Sequence, residues 1–339
     1  MPAIVFPIPE LLYDDTTEPR GLFLIILFIF GLLGCQEAEI MTTDTMVSQC
    51  VDLESSLNLI WPVEGVDAQD WAITNYVDAN RNSGTEDYVG NTGEEAKTYD
   101  GHKGVDIGVS SFRQMDEGTP VIAAASGEVI NVIDGYYDRN TECINYDANM
   151  VSVRHSSGHV VKYVHLKTDS TAVSVGDYVI AGDLLGLVGS SGCSDGPHLH
   201  FEITSPTGDW LDPFSEGMWC EPPVYDTPID FMESWLLEGP EDQYDNPWQD
   251  PPEEQWEYEV GSTILTYVVI GGGQVGDEAG VTLLGPNGSM VGPWPVIFDR
   301  DWTMTTWYWS FIVQSPSGMW TVDYQLNGES VAQQEFEVL

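Results

Sequence analysis

The stretch "GPHLHFEI", residues Gly196–Ile203, alternates polar and apolar side chains and holds two of the six histidines in this 339-residue chain. Alternation with a period of two predicts a β-strand, in which successive side chains point to opposite faces. His198 and His200 therefore lie on the same face of the strand. Two adjacent imidazoles suit a shared metal ion better than an apolar core, although taken alone such a pair is more commonly a surface feature.

The rest of the sequence also favours strands over helices. The chain has 34 glycines and 20 prolines, and short apolar runs alternate with Gly-containing turns. Strands are predicted within "TPVIAAASGEVINVI", "MVSVRHSSGHVVKYVHL" and "DYVIAGDLLGLVG". We predict a mainly β protein, with an antiparallel β-sheet domain followed by a β-sandwich of immunoglobulin-like type.

Charge and composition divide the chain into five predicted segments. The chain has ten basic and 55 acidic residues, and its formal net charge of −45 argues against nucleic-acid binding. The segments are a signal peptide with a lipobox at 1–35, a polar tether at 36–56, an antiparallel β domain at 57–237, an acidic, Pro-rich and extended linker at 238–259, and a β-sandwich accessory domain at 260–339.

The N-terminal segment predicts export. The apolar run Gly21–Leu33 has the length of a signal-peptide core, and its ending "LLGC" resembles the bacterial lipobox, in which Cys35 becomes lipidated. Four acidic residues before the run depart from the usual basic start. We expect a protein of the cell envelope that is anchored to a membrane through Cys35, in the periplasm or at the outer membrane.

Four more cysteines suggest two disulfides in an exported chain. Three pairings are possible, and we favour Cys143–Cys193 with Cys50–Cys220. Five tryptophans in the last 50 residues form either a binding surface or a sandwich core, and we favour the core. They are Trp294, Trp302, Trp307, Trp309 and Trp320.

Further candidate site residues lie in other Gly-rich or strand-like segments. "GHKGVDIG" contains His102 and Asp106, and "YVHL" contains His165. Two histidines and one carboxylate suit a catalytic zinc site, in which the remaining position is left to water and other histidines act as base and oxyanion stabiliser. His155 and His159 belong to a predicted hairpin turn.

These three motifs, in this order, resemble those of the lysostaphin-type zinc metallopeptidases, the glycyl-glycine endopeptidase family that cuts peptide bonds of bacterial peptidoglycan. The resemblance covers residues 57–215. It implies that His102, Asp106 and His200 bind Zn²⁺, and that His165 and His198 assist catalysis.

The resemblance implies a peptidoglycan endopeptidase, and two alternatives remain open. One is a non-catalytic cell-wall module that binds the wall or activates another hydrolase, and the other is a secreted protease for Gly-rich proteins. Residues 134–149, which contain Cys143, are longer and more polar than a tight hairpin connection requires, and a Cys143–Cys193 disulfide would hold them at the cleft rim. We expect residues 75–100 to form another wall of the groove. We expect the catalytic domain to retain hydrolytic activity without residues 240–339.

Overall fold

The computed structural model describes residues 57–144, 146–247 and 249–339, together with the backbone of a short strand, Ile4–Val5 (β1). Apart from β1, the predicted signal peptide, its Cys35, the tether and Cys50 lie outside the described residues. In the part of the chain that is described, no helix is long and apolar enough to span a membrane.

The regular secondary structure of the N-terminal unit (residues 57–229) is almost entirely β, which confirms the predicted fold class. Its strands are β2 (Ala72–Asn75), β3 (Gly104–Gly108), β4 (Pro120–Ile122), β5 (Gly127–Ile133), β6 (Met150–Arg154), β7 (Val160–Val164), β8 (Tyr178–Val179), β9 (Leu184–Leu187), β10 (His198–Thr204) and β11 (Trp210–Leu211). The large sheet has the order β2-β3-β10-β7-β6-β5-β8, with β11 paired to β10, and a small sheet joins β4 to β9. These pairs are antiparallel.

Strand β10 lies at the centre of the large sheet, between β3 and β7. Its apolar side chains Leu199, Phe201 and Ile203 are fully buried, whereas the histidines that alternate with them are partly exposed on the opposite face. Burial of a Leu or Phe side chain stabilises the fold by about 1.5–3 kcal/mol. The apolar half of the alternation therefore fixes which way the polar half points.

A short helix, α1 (Phe112–Glu117), follows β3 closely. The Ser111 side chain caps its N-terminus by accepting a hydrogen bond from the Gln114 backbone N–H at 3.2 Å. Phe112 and Met115 are buried in the core of the N-terminal unit. Two short 3₁₀ helices complete the helical structure of the described residues, at Gly93–Glu95 and Glu241–Gln243.

The C-terminal unit (residues 230–339) consists of two sheets. Its strands are β12 (Asp230–Glu238), β13 (Glu257–Tyr258), β14 (Thr263–Gly271), β15 (Glu278–Leu284), β16 (Met290–Ile297), β17 (Met304–Ile312), β18 (Gly318–Leu326) and β19 (Glu329–Val338). The sheet orders are β1-β17-β14-β12 and β13-β19-β18-β15-β16, and one apolar cluster contains residues of both sheets. An immunoglobulin-like topology stays a prediction.

The five tryptophans belong to the apolar core of the C-terminal unit or pack against it. Trp309 and Trp320 are 1% and 6% exposed, and the other three pack against the same apolar cluster while partly buried. Aromatic residues at strand period thus face inward here, as the sequence interpretation favours.

Two segments differ from the linear arrangement of the predicted domains. Residues 230–237, predicted to end the first domain, form part of β12 and pair with β14 of the C-terminal unit. The connecting segment (residues 239–256), predicted to be an extended linker, packs against both units. The Trp235 indole N–H donates to the Pro247 carbonyl at 3.0 Å, and the Phe112 backbone N–H donates to the Gln249 carbonyl at 2.8 Å.

Candidate functional site

Antiparallel pairing brings together the predicted metal ligands. In the register of β3 and β10, His200 lies directly across from Asp106, and His102 lies two residues before β3 begins. The His200 Nδ1 is 2.8 Å from Asp106 Oδ1, and the His102 Nε2 is 3.1 Å from Asp106 Oδ2. One nitrogen or oxygen atom from each of the three side chains lies within 4.8 Å of the others. This group can hold a metal ion.

The two imidazoles present different nitrogens to this group. His102 is 2% exposed, and its Nδ1 is 2.7 Å from the Tyr76 carbonyl oxygen, which can only accept a hydrogen bond. The proton therefore lies on Nδ1, and Nε2 keeps its lone pair for a ligand. The His102 Nε2 and the His200 Nδ1 are 3.2 Å apart.

Asp106 is held from three sides. Although burial alone would raise the pKa of this carboxyl, the neighbouring imidazoles of His198, His102 and His200 hold it well below its usual value. The Asn75 side-chain amide also donates to Asp106 Oδ2, at 3.1 Å. An irregularity in the β2–β3 register after Ile73 places Asn75 opposite Asp106.

Glu202 and Lys162 support His200 from behind. Burial would lower the pKa of His200, but the hydrogen bond with Asp106 and the nearby Glu202 carboxylate raise it to about 9. The Glu202 Oε1 in turn accepts from Lys162 Nζ at 2.5 Å. A carboxylate behind a histidine ligand orients the ring and increases its basicity, as in many metal sites.

His198 and His165 stand beside the three-residue group, with ring centroids 4.7 Å apart. The His198 Nδ1 donates to the Gly196 carbonyl at 2.9 Å, and the His165 Nδ1 donates to the Ser191 carbonyl at 2.6 Å. Each ring therefore keeps Nε2 free, and the His198 Nε2 is 3.7 Å from Asp106 Oδ1. All five predicted site residues thus meet in one place.

His165 follows β7 with a φ of +64°, in the left-handed region that few residues other than glycine adopt. The backbone of His165 is therefore strained, and the hydrogen bond from the ring Nδ1 to the Ser191 carbonyl fixes the ring. Burial, then the neighbouring His198, lower the pKa of His165 to about 3. The ring is neutral near pH 7, so its free Nε2 is a hydrogen-bond acceptor.

The other two histidines lie elsewhere. His155 and His159 flank the turn between β6 and β7, where the His155 backbone N–H donates to the His159 carbonyl at 2.9 Å. This arrangement confirms the predicted hairpin turn.

A cleft of about 480 Å³ is lined by Asp106, His165, His198 and His200, while His102 is buried beneath them. Asn75 and Tyr99 border it, as expected of the segment 75–100. On another side, Cys193 borders it and forms a disulfide with Cys143, which confirms that pairing and ties the loop 134–149 to the cleft rim. The partner of Cys50 cannot be placed, because Cys50 lies outside the described residues.

Sequence reasoning missed several residues of the site. Glu202 shares the face of His198 and His200, and the same period of two could have found it. Gly104 had no such signal, yet a Cβ there would lie 2.7 Å from the His200 ring. Asn75 depends on a register irregularity that no local pattern shows.

The five site residues lie within a segment that matches a known protein family. Residues 100–213 match the family described as Peptidase family M23. Lysostaphin of Staphylococcus staphylolyticus is 37% identical over 100 residues, which cover 29% of this chain and 18% of lysostaphin. Peptidoglycan DD-endopeptidase ShyC of Vibrio cholerae is 34% identical over 86 residues, which cover 25% of this chain and 17% of ShyC.

A solved structure, the catalytic domain of lysostaphin from Staphylococcus simulans, is 32% identical with a TM-score of 0.26 and covers 33% of this chain and 76% of that chain. This chain spans less than a fifth of the length of the two curated relatives above. The predicted resemblance is confirmed for the part of the chain that holds the site. This chain therefore carries a peptidase domain of metallopeptidase family M23, at residues 100–213.

Proposed function

We propose that this protein is a zinc-dependent endopeptidase that hydrolyses peptide cross-links of bacterial peptidoglycan. The observation that carries the proposal is the convergence of His102, Asp106 and His200 beside two further histidines with free Nε2 atoms. A relative named peptidoglycan DD-endopeptidase supports the substrate class.

The donor set fits zinc. Two imidazole nitrogens and one carboxylate oxygen form a ligand set typical of catalytic zinc sites, which leave one coordination position open. The His102 Nε2, an Asp106 oxygen and the His200 Nδ1 would hold the ion, with Asn75 and Glu202 orienting the last two ligands. When bound, zinc supplies Lewis acidity and lowers the pKa of water towards about 7.

The remaining steps are assigned to the protein's own side chains. The Nε2 atoms of His165 and His198 are free because each Nδ1 donates to a backbone carbonyl. One Nε2 takes the proton of the attacking water, and the other, when protonated, donates to the oxygen that gains negative charge. The carbonyl hydrogen bonds fix both rings, so little reorganisation is needed during the reaction.

Metal analysis and wall digestion test the proposal together. We expect about one zinc per full-length chain, lost in His102→Ala and retained in the control His159→Ala, whose histidine lies in the β6–β7 turn. Incubation of purified sacculi with the wild type, followed by mass spectrometry, should show cleaved cross-links, and His102→Ala should release none.

Other outcomes would favour the alternatives. A protein that binds zinc but cleaves neither sacculi nor Gly-rich proteins would be a non-catalytic wall module. Cleavage of Gly-rich proteins without release of wall fragments would indicate a secreted protease. Either result overturns the proposed substrate.

We also propose that the protein is exported and anchored by lipid at Cys35. The lipobox-like "LLGC" supports this, and the disulfide Cys143–Cys193 suits an oxidising compartment. Mass spectrometry of the mature N-terminus should find a diacylated Cys35. The Cys35→Ala variant should be lost from the membrane fraction. An unmodified Cys35 inside an uncleaved chain would contradict the proposal.

A further inference from the structure

The cleft over the metal-binding group has walls from both units. The N-terminal unit supplies four site residues, Asp106, His165, His198 and His200, and the loops around them. Further lining comes from Gln249 of the connecting segment and from Met304 and Thr306 at the start of β17. Part of the cleft therefore belongs to the half of the chain outside the M23 match.

Strand alternation places Met304 and Thr306 at the cleft. The two residues are two positions apart on β17, so their side chains share one face. The Met304 methyl group approaches β3 closely, since a Cβ on Gly108 would lie 3.4 Å from Met304 Cε. Gly108 lies opposite His198 in the β3–β10 register. An apolar side chain of the C-terminal unit thus reaches the strand that also carries Asp106.

Gln249 closes the cleft on the side of the histidine pair. Its backbone carbonyl accepts from the Phe112 N–H at 2.8 Å. Its side-chain nitrogen lies against Gly196, where an added Cβ would be only 2.0 Å from Nε2. Gly196 also provides the carbonyl that orients His198. Gln249 therefore contacts the backbone that positions one of the two histidines proposed to move protons.

Partly buried ion pairs hold this second wall in place. Arg113 of α1 binds Glu233 of β12 at 2.7 Å and Glu254 at 2.6 Å, with side chains that are 29%, 17% and 14% exposed. The Ser110 hydroxyl, which also borders the cleft, donates to Glu233 at 2.5 Å. Charge-assisted hydrogen bonds between partly buried groups are among the stronger polar contacts. Both ends of the wall are thus attached to the N-terminal unit.

The cleft continues along the boundary between the units. A second cavity of about 610 Å³ shares Thr74 and Asn75 with the first. Its far side is formed by residues 299–303, which lead directly into Met304. The two cavities adjoin at these shared residues, and both have lining from the two units, so we call them together the groove.

We propose that the C-terminal unit forms the second wall of the substrate groove, and that Met304 and Gln249 select which peptides bind. This inference rests on the proposed function and deepens it. The occupant is an extended peptide that lies between the units, with the side chain beside the scissile bond against Met304. On this basis residues 240–339 are part of the substrate site, and the catalytic domain alone lacks one wall of it.

Four variants of the full-length, zinc-loaded protein test the inference. Met304→Ala is compared with Met290→Ala, which removes a methionine that is 66% exposed on β16. Gln249→Ala is compared with Gln314→Ala, at an exposed position. The substrates are two end-blocked peptides that differ only in carrying Gly or Leu beside the scissile bond. Zinc content is measured for every variant.

We expect Met304→Ala to shift the ratio of kcat/KM values towards the Leu peptide by roughly 10-fold, because the enlarged wall accepts the bulkier side chain. Gln249→Ala should raise KM by a similar factor while zinc content stays unchanged. The two control variants should keep the wild-type kcat/KM ratio and KM. If Met304→Ala and Gln249→Ala also keep these values, the inference is overturned and the proposed function is left intact.

Direct binding separates the two proposals. Calorimetry measures the affinity of the groove for the same peptides in the absence of turnover. It is done on the His198→Ala protein, alone and combined with Met304→Ala or Gln249→Ala. If wild-type protein cleaves nothing, the proposed function fails, and weaker peptide binding in the combined variants would still support the wall. Absence of peptide binding, or binding unchanged by the wall substitutions, would overturn the inference.

Discussion

His200 lies directly opposite Asp106 across the antiparallel pair β3–β10, and its Nδ1 is 2.8 Å from Asp106 Oδ1. The other face of β10 carries the fully buried Leu199 and Phe201. A one-residue slip in this register would turn the histidines into the core and the apolar residues to the cleft. Core packing and ligand geometry are therefore set by the same pairing.

Gly104→Ala should damage the metal site without touching a ligand. The new Cβ would lie 2.7 Å from both the His200 ring and the Phe201 carbonyl oxygen, so the ring must move. We expect zinc affinity to fall roughly 10- to 100-fold, measured by competition with a chelator. Gly280→Ala, where the nearest atom would be 3.3 Å away, is the control. Equal affinity in the two variants would refute this packing argument.

Glu202→Gln should weaken zinc binding because it removes the charge behind His200. The Glu202 Oε2 is 3.8 Å from the His200 Nε2, and its other oxygen binds Lys162. Loss of such a supporting carboxylate typically costs about 10- to 100-fold in metal affinity or activity. The same chelator competition is applied to Glu128→Gln, an exposed position on β5. If Glu202→Gln binds zinc as tightly as Glu128→Gln, the supporting role of Glu202 is refuted.

Asp67→Asn should stabilise the protein above pH 6. Burial raises the pKa of Asp67 to about 6, against hydrogen bonds from Thr227 and Ala68 that lower it. Because the folded state holds this proton more tightly than the unfolded state, stability falls as pH rises from about 4 to about 6. Asn removes the charge, and its side-chain oxygen still accepts a hydrogen bond.

The gain in unfolding free energy should be on the order of 1 kcal/mol, since solvent screens this partly exposed carboxyl. Urea unfolding at pH 4 and pH 7.5 measures it, with the exposed Asp242→Asn as control. A gain that is equal at both pH values would contradict the assignment to Asp67 titration.

The disulfide Cys143–Cys193 should contribute strongly to stability. It closes a loop of 50 residues in sequence, for which the chain-entropy account gives about 4 kcal/mol. Replacement of both cysteines by serine should lower the free energy of unfolding by a few kcal/mol and loosen the 134–149 loop at the cleft rim. Urea unfolding and hydrogen exchange of that loop measure the two effects. Unchanged exchange would show that other contacts hold the loop.

Charge should also influence substrate choice. The described residues that line the cleft include Asp106 and Asp195 and no Lys or Arg, and the chain carries a net charge of −45. We expect a peptide with Lys near the scissile bond to be cleaved roughly 10-fold faster than one with Glu at low ionic strength. The ratio should shrink as salt screens the field. A ratio independent of salt would indicate that direct contacts with the peptide side chain, rather than long-range attraction, set the preference.

The sequence by itself determined the strand character and the identity of the five site residues. The alternation in "GPHLHFEI" is a local property of an extended backbone, so it predicts that His198 and His200 share a face before any partner strand is known. The motifs around His102, Asp106 and His165 are equally local. They were sufficient because the family's chemistry is concentrated in three short segments.

Only the tertiary structure decided what surrounds these residues. Asn75 reaches Asp106 through an irregular register between β2 and β3, and residues 230–237 pair with the C-terminal sheet. Gln249 lies in a segment whose acidic, Pro-rich composition predicts an extended linker, yet it borders the cleft. Such placements depend on contacts between residues distant in sequence, and the free energy of those contacts leaves no periodic pattern in the local chain.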